Sequence, residues 1–220
     1  VYNEKDTVLK CIERVLSLSS LKELIIVDDF SSDGTRELLL NTKFDNRVKI
    51  LLHDKNMGKG AALRTGFKNV TGDITSIQDA DLEYDPRELE ILIKPIEESV
   101  ADVVYGTRLT GGKPQRVHLF WHKLGNTMIT FFMDLLFNTT LTDVETCYKV
   151  FKSEYLKGLT IRENRFGIDP EITAKLLKKK LRFYEVPISY YGRSYAEGKK
   201  ISWLNGFEVM WAIIKYRFID

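Results

Sequence analysis

The stretch DITSIQDADLEYDP, residues 73–86, carries a short run of apolar and small residues, Ile74 to Ile77, that ends on four acids within seven positions: Asp79, Asp81, Glu83 and Asp85. Like charges that close repel one another unless a cation or a hydrogen-bond network offsets them. The run suits a strand buried in a sheet, and acids at its end suit the rim where an open α/β sheet binds ligands. On spacing alone, a short acidic run is usually a solvated turn, so the flanking sequence has to decide.

Upstream, Val8, Leu9, Ile12, Val15 and Leu16 recur with helical spacing, and LKELIIVDD (21–29) supplies a continuous apolar run suited to a buried strand. The alternation continues through helix 35–42, strand 48–53, helix 60–70, the strand of the quoted stretch, helix 86–99 and strand 101–108. That rhythm predicts an α/β fold with an open, mostly parallel sheet and helices on both faces. Asp28 and Asp29 end one strand, Asp79 and Asp81 another and Arg108 a third, so charged side chains converge on one rim. The second half breaks the rhythm with a Gly and Pro loop (109–117), a long helix from about His118 to Asn138, a short strand at 147–152, a helix at 170–180 and a strand at 181–191.

Length and composition narrow the class. A chain of 220 residues, 44% hydrophobic and 29% charged, buries a sizeable core as one domain. Its net charge of +2 argues against nucleic acid as a partner. Cys11 and Cys147 read as buried small hydrophobes in a reduced, cytosolic setting. The most apolar run, MITFFMDLLF (128–137), is too short to span a bilayer and contains Asp134. The C-terminal segment ISWLNGFEVMWAIIKYRF (201–218) places Trp203, Phe207, Met210, Trp211, Ile214 and Phe218 on one face beside Lys215 and Arg217. Such an amphipathic helix lies in a membrane interface or packs on a core or partner. The chain enters its first helix almost directly after VYNE, and a strand is expected ahead of it.

Asp79 and Asp81 form a D-x-D pair. Two carboxylates at a strand end can hold a hard divalent cation such as Mg²⁺, which completes its shell with water and substrate phosphates. GKGAAL (58–63) lacks the third glycine of a dinucleotide-binding loop and no Walker Lys-Ser/Thr pair is present, so neither phosphate-loop reading holds.

The ordered set VYNE (1–4), IIVDDFSSDGT (25–35), NMGKGAALRTGF (56–67), QDADLEYDP (78–86), YGTR (105–108) and LTDVETCYKVF (141–151) resembles family 2 glycosyltransferases with the Rossmann-like GT-A fold. The likeness is to the dolichol-phosphate mannose and polyprenyl-phosphate glucose synthase branch, although Glu83 stands where the mannose branch commonly has Gln. The resemblance implies a catalytic domain over 1–200, with the 201–220 helix at the membrane. It implies Tyr2, Glu4, Asp28 and Asp29 at the nucleotide base and ribose, and Lys59 and Arg64 near the diphosphate or sugar. Asp79 and Asp81 would hold Mg²⁺ or Mn²⁺, with Asp81 catalytic. Asp143 would orient the acceptor or act as base, Arg108 would be catalytic as well, and Arg108, Arg116, Arg193, Lys199 and Lys200 would clamp an acceptor phosphate.

The implied activity is inverting transfer of one sugar from a nucleotide-sugar donor of the UDP-glucose or GDP-mannose type to a polyprenyl or dolichyl phosphate, by a peripheral protein on the cytoplasmic face of the membrane. A phosphate acceptor is mostly dianionic at neutral pH and needs cations more than a base. Transfer to a sugar hydroxyl, or a non-catalytic nucleotide-sugar-binding module, stays open. QRVHLFW (115–121) is not the Gln-x-x-Arg-Trp of processive synthases, which favours single-sugar transfer.

Overall fold

The computed structural model describes residues 1–117, 120–156, 158–193 and 205–219. Helix α1 (Val8–Leu16), strand β1 (Leu24–Asp28), helix α2 (Thr35–Asn41) and strand β2 (Val48–Leu52) come first, followed by helix α3 (Lys59–Phe67) and strand β3 (Ile74–Ser76). Then come α4 (Leu89–Glu97), β4 (Val103–Thr107), α5 (Phe120–Phe137), β5 (Lys149–Lys152), α6 (Ile168–Lys178), β6 (Phe183–Pro187) and α7 (Asn205–Phe218). The 3.6-residue period sets α1, which buries Val8, Cys11, Ile12 and Val15 along one stripe.

β1 and β2 pair in parallel, with Ile26 opposite Ile50, and four further strands are ordered β3-β5-β4-β6. β4 and β6 are parallel, but β5 runs antiparallel to both β3 and β4, which makes this sheet mixed where the sequence predicts a mostly parallel one. An apolar run buried on both faces reads the same in either direction, so the reversal of β5 carries no periodic signal. The main core lies between this sheet and helices α4 and α6, around Leu92, Val103, Tyr105, Phe151, Ile168 and Ile172. A second core joins α5, α6 and α7 through Met133, Ala174, Ile213 and Tyr216.

Val1 continues the ladder on the side of β1 opposite β2: its amino group donates to the Val27 carbonyl at 2.8 Å, and Asp29 N–H donates back to the Val1 carbonyl at 2.9 Å. Residues of β1 and β3 beside Val1 line a cavity whose wall also carries Asp29, Asp79 and Asp81.

Helix α7 departs from the amphipathic expectation. It buries Val209, Ala212, Ile213 and Tyr216 on one side and exposes Phe207, Trp211, Ile214 and Phe218 on the other, so it is apolar on both; Met210 is half-buried and Trp203 lies outside the described residues. Its neighbour α5 exposes Phe120, Trp121, Leu124, Met128, Phe131 and Leu135 along a stripe of three- and four-residue steps. Among the described residues, no helix is long and apolar enough to cross a membrane. Both cysteines are buried and unbridged, and burial, with Asp81 and Asp79 nearby, pushes the Cys11 thiol up to about 12.

Candidate active site

β3 is only three residues long, so Asp79 and Asp81 stand beyond the strand, in a loop that leaves the ladder after Ile77. Leu82 takes a left-handed backbone (φ 60°), and the flanking acids Asp81 and Glu83 both reach Arg193. The Arg193 guanidinium lies 3.0 Å from Asp81, 3.4 Å from Glu83 and 3.2 Å from Glu4. Three carboxylates from two segments, residues 81–83 and the N-terminal Glu4, therefore meet one cation. Burial, then the charges of Asp79 and Glu83, push the Asp81 carboxyl up to about 7 despite Arg193.

Asp79 is balanced from the other side. Lys59 Nζ lies 3.4 Å from Asp79 and 3.6 Å from Asp169, and the fully buried Lys149 donates to Asp169 at 2.7 Å. Burial opposes ionisation of Asp79, but Lys59 outweighs it and holds the carboxyl below its ordinary range. Two glycines place Lys59 there. A Cβ on Gly58 would fall 2.3 Å from the Asn164 carbonyl and one on Gly60 2.3 Å from that of Glu163, while Gly60 N–H donates to Asn164 at 2.8 Å. Gly58 also has φ 95°, a backbone that side chains disfavour. The start of α3 thus presses against residues 163–164, and Lys59 lies between the two aspartates.

Asp79 and Asp81 suit a divalent cation of the Mg²⁺ type. Each is a hard oxygen ligand, they repel one another, and Lys59 and Arg193 now supply the positive charge. Among the described residues no three His, Cys, Asp or Glu side chains converge as a ready-made cage, so water and substrate phosphate would complete the shell.

Arg108, just past β4, is nearly buried and gripped by Asp143. Its backbone N–H and Nε–H donate to Asp143 Oδ2 at 3.0 and 2.6 Å, and Nη2 donates to Oδ1 at 2.7 Å. Asn126 Nδ2 adds a fourth donor to Oδ1 at 3.0 Å. Burial alone would raise the Asp143 carboxyl, but Arg108 keeps it below the usual range. A carboxylate so occupied orients an arginine well and accepts a proton poorly. Arg108 also lies 5.1 Å above the Tyr190 ring. Together with Arg116, Lys123, Gln115, Leu109 and Val117 it lines a pocket of about 250 Å³. Gln115 Nε2 is buried there without a partner among the described residues, and Arg116 is steered by a hydrogen bond to the Gly192 carbonyl at 2.9 Å.

The remaining residues singled out in the sequence are distributed unevenly. Tyr2 and Glu4 line the large cavity with Asp29. Asp28 is buried against Arg36 at 2.7 Å. Asp29 accepts from Met57 and Gly58 N–H at 2.9 and 2.8 Å and lies 2.7 Å from His53 Nδ1, so its carboxylate holds the loop after β2, which the Asp28 carboxylate reaches only through Arg36 and its bond to the His53 carbonyl. Arg64 donates to the Ile161 carbonyl and, at 2.6 Å, to the Asn164 side chain. Lys199 and Lys200 lie outside the described residues. Sequence reasoning passes over Lys149, Asp169 and Glu145. Lys149 is the only one with a visible signal, a cation inside an otherwise apolar run.

The chain is similar in sequence to relatives with named activities. A UDP-N-acetylglucosamine–dolichyl-phosphate N-acetylglucosaminyltransferase of Methanococcus voltae is 27% identical over 231 aligned residues, covering 97% of this chain and 92% of that protein. An undecaprenyl-phosphate 4-deoxy-4-formamido-L-arabinose transferase of Photorhabdus laumondii is 35% identical over 136 residues, 59% of this chain and 41% of that protein. Among solved structures, glucosyl-3-phosphoglycerate synthase from Mycobacterium tuberculosis, in complex with Mn²⁺, uridine diphosphate and phosphoglyceric acid, superimposes with a TM-score of 0.75 over 100% of this chain and 77% of that one, at 16% identity. That likeness establishes the fold. With residues 1–160 matching the family Glycosyl transferase family 2, the chain belongs to glycosyltransferase family 2 and adopts the GT-A fold.

Proposed function

We propose that the protein transfers one sugar, with inversion, from a nucleotide-sugar donor to a polyprenyl or dolichyl phosphate at a membrane surface. The observation that carries this reading is a single cavity with an acidic end at Asp79 and Asp81 and a cationic residue, Arg108, that also lines the neighbouring basic pocket. Donor diphosphate fits the acidic end through a divalent metal, and an anionic acceptor fits the basic one. The names of the two relatives, both transferases to a polyprenyl phosphate, support the acceptor class.

In this account Asp79 and Asp81 hold Mg²⁺ or Mn²⁺, which when bound neutralises charge on the departing diphosphate. Lys59 keeps Asp79 ionised and lies close enough to approach the same phosphates. Glu4, Asp29 and Tyr2 border the nucleotide end. Arg108, Arg116, Lys123 and the unpartnered Gln115 amide receive the acceptor phosphate, for which guanidinium offers bidentate geometry. Asp143 serves as the clamp on Arg108. A hydroxyl acceptor would need a general base, and Asp143 already accepts four hydrogen bonds. UDP-linked and GDP-linked donors are both compatible with these groups.

Trp121, Ile129 and Val209 line the same cavity as Arg108 and give a prenyl chain an apolar path out. That path leads to the exposed stripes of α5 and α7, the surface proposed to seat the protein peripherally on the cytoplasmic face, where nucleotide sugars are made. Residues 1–200 then carry the chemistry and 201–220 help to seat it. Asp81→Asn tests the donor end: sugar transfer should fall by two orders of magnitude or more, the scale of a lost charge-stabilising group, while the melting temperature holds. Unchanged turnover would remove Asp81 from the mechanism.

A further inference from the structure

Glu145 differs from the other acids around the cavity. It is half-buried, it lines the cavity, and its Oε1 is shut off from solvent without a hydrogen-bond partner among the described residues. Three cations influence it, Lys149, Arg108 and Lys59, yet each is committed to another carboxylate: Lys149 to Asp169 at 2.7 Å, Arg108 to Asp143 at 2.6 Å, and Lys59 to Asp79 at 3.4 Å and Asp169 at 3.6 Å. Burial first, and then the charge of Asp169, push its carboxyl up to about 7. A buried acceptor left unpaired is unfavourable, so its retention calls for a partner that arrives with a ligand.

Position indicates which part of a ligand. Two residues before Glu145, Asp143 anchors Arg108 at the acceptor end. One residue after it, the Thr146 carbonyl accepts from Lys149 Nζ, which holds Asp169 and through it reaches Lys59 and Asp79 at the donor end. Glu145 is therefore pinned between the two ends of the cavity, where the sugar must sit while it passes from one phosphate to the other. A phosphate there would meet a carboxyl with repulsion, whereas a sugar offers hydroxyl donors.

We infer that Glu145 hydrogen-bonds a hydroxyl of the transferred sugar and so helps to determine which sugar the protein accepts. This rests on the function proposed above. A buried group built to pair with a hydroxyl discriminates strongly against a sugar that lacks or inverts it, because the group is then left unpaired.

The test is calorimetric binding, in the presence of Mn²⁺, of UDP-glucose, UDP-N-acetylglucosamine and GDP-mannose, each against its own nucleotide diphosphate, to wild type, Glu145→Ala and Glu145→Gln. For the sugar that wild type binds best, Glu145→Ala should weaken the nucleotide sugar about ten-fold or more, the scale of one lost hydrogen bond to a charged group, and leave the nucleotide diphosphate within about two-fold. Glu145→Gln, which keeps a carbonyl acceptor, should fall between. Neither variant should melt below wild type, since each removes an unpaired buried carboxylate. Equal losses for sugar and diphosphate, no loss for either, or a lowered melting temperature with parallel losses would overturn the assignment while leaving the function standing. Wild type that binds no nucleotide sugar would remove both.

Discussion

Asp134 on α5 shows how a single residue sets a pH dependence. Its Oδ1 accepts from Leu141 N–H at 2.9 Å, and burial, with Glu185 nearby, pushes its carboxyl up to about 6. An unfolded aspartate titrates near ~3.9, so the folded state holds this proton more tightly and stability falls as pH rises from about 4 to about 6. Asp134→Asn keeps the accepting oxygen and removes the charge. It should melt higher than wild type at pH 8 and together with it near pH 3.5, as read by circular dichroism; an equal difference at both pH values would contradict the assignment. Legibility at this scale divides by where a residue's partner sits. Asp79 and Asp81 are readable because acids at the end of an apolar run are unusual in themselves. Asp169 is not, because its meaning comes from Lys59 and Lys149, which reach it only through the fold, and Glu145 is not, because its place in the cavity wall is set by the fold alone. Asp28 and Asp29 are visible in sequence as acids at a strand end, but their bonds to Arg36, Met57, Gly58 and His53 are not.

Among the elements, α3 depends on close approach. Gly60→Ala would put a methyl group 2.3 Å from the Glu163 carbonyl, against backbone that cannot swing aside. The expected destabilisation is about 1–3 kcal/mol, measured by urea denaturation, along with weaker nucleotide-sugar binding as Lys59 shifts; a variant as stable as wild type would show that α3 docks more loosely. The paired stripes of α5 and α7 make the second prediction. Trp211, 60% exposed, should insert into anionic vesicles with a blue-shifted emission, and Trp211→Ser should weaken partitioning roughly ten-fold, as burying one large apolar side chain implies. Binding unaffected by Trp211→Ser would point to another face. Helices here are readable from their period, as α1 is. β5 and α7 are less so: a doubly buried strand hides its direction, and a helix with apolar residues on both sides resembles an amphipathic one until its packing against α5 and α6 is seen.

For the whole molecule, the alternation of helix and strand reaches the fold class, and the order of the motifs reaches the family. The mixed sheet and the two sets of ion pairs, Arg108 with Asp143, and Lys149 and Lys59 with Asp169 and Asp79, come from tertiary pairing that local pattern does not encode. The central claim is that one cavity brings a nucleotide sugar and a lipid phosphate together through a divalent metal. The most direct measurement is transfer of radiolabel from UDP-glucose, UDP-N-acetylglucosamine or GDP-mannose into organic-extractable polyprenyl phosphate, with Mg²⁺ or Mn²⁺ and with EDTA. The account predicts label in the lipid from one of these donors, lost with EDTA and restored by metal. Nucleotide-sugar binding with no label in lipid from any donor, or transfer indifferent to EDTA, would contradict it.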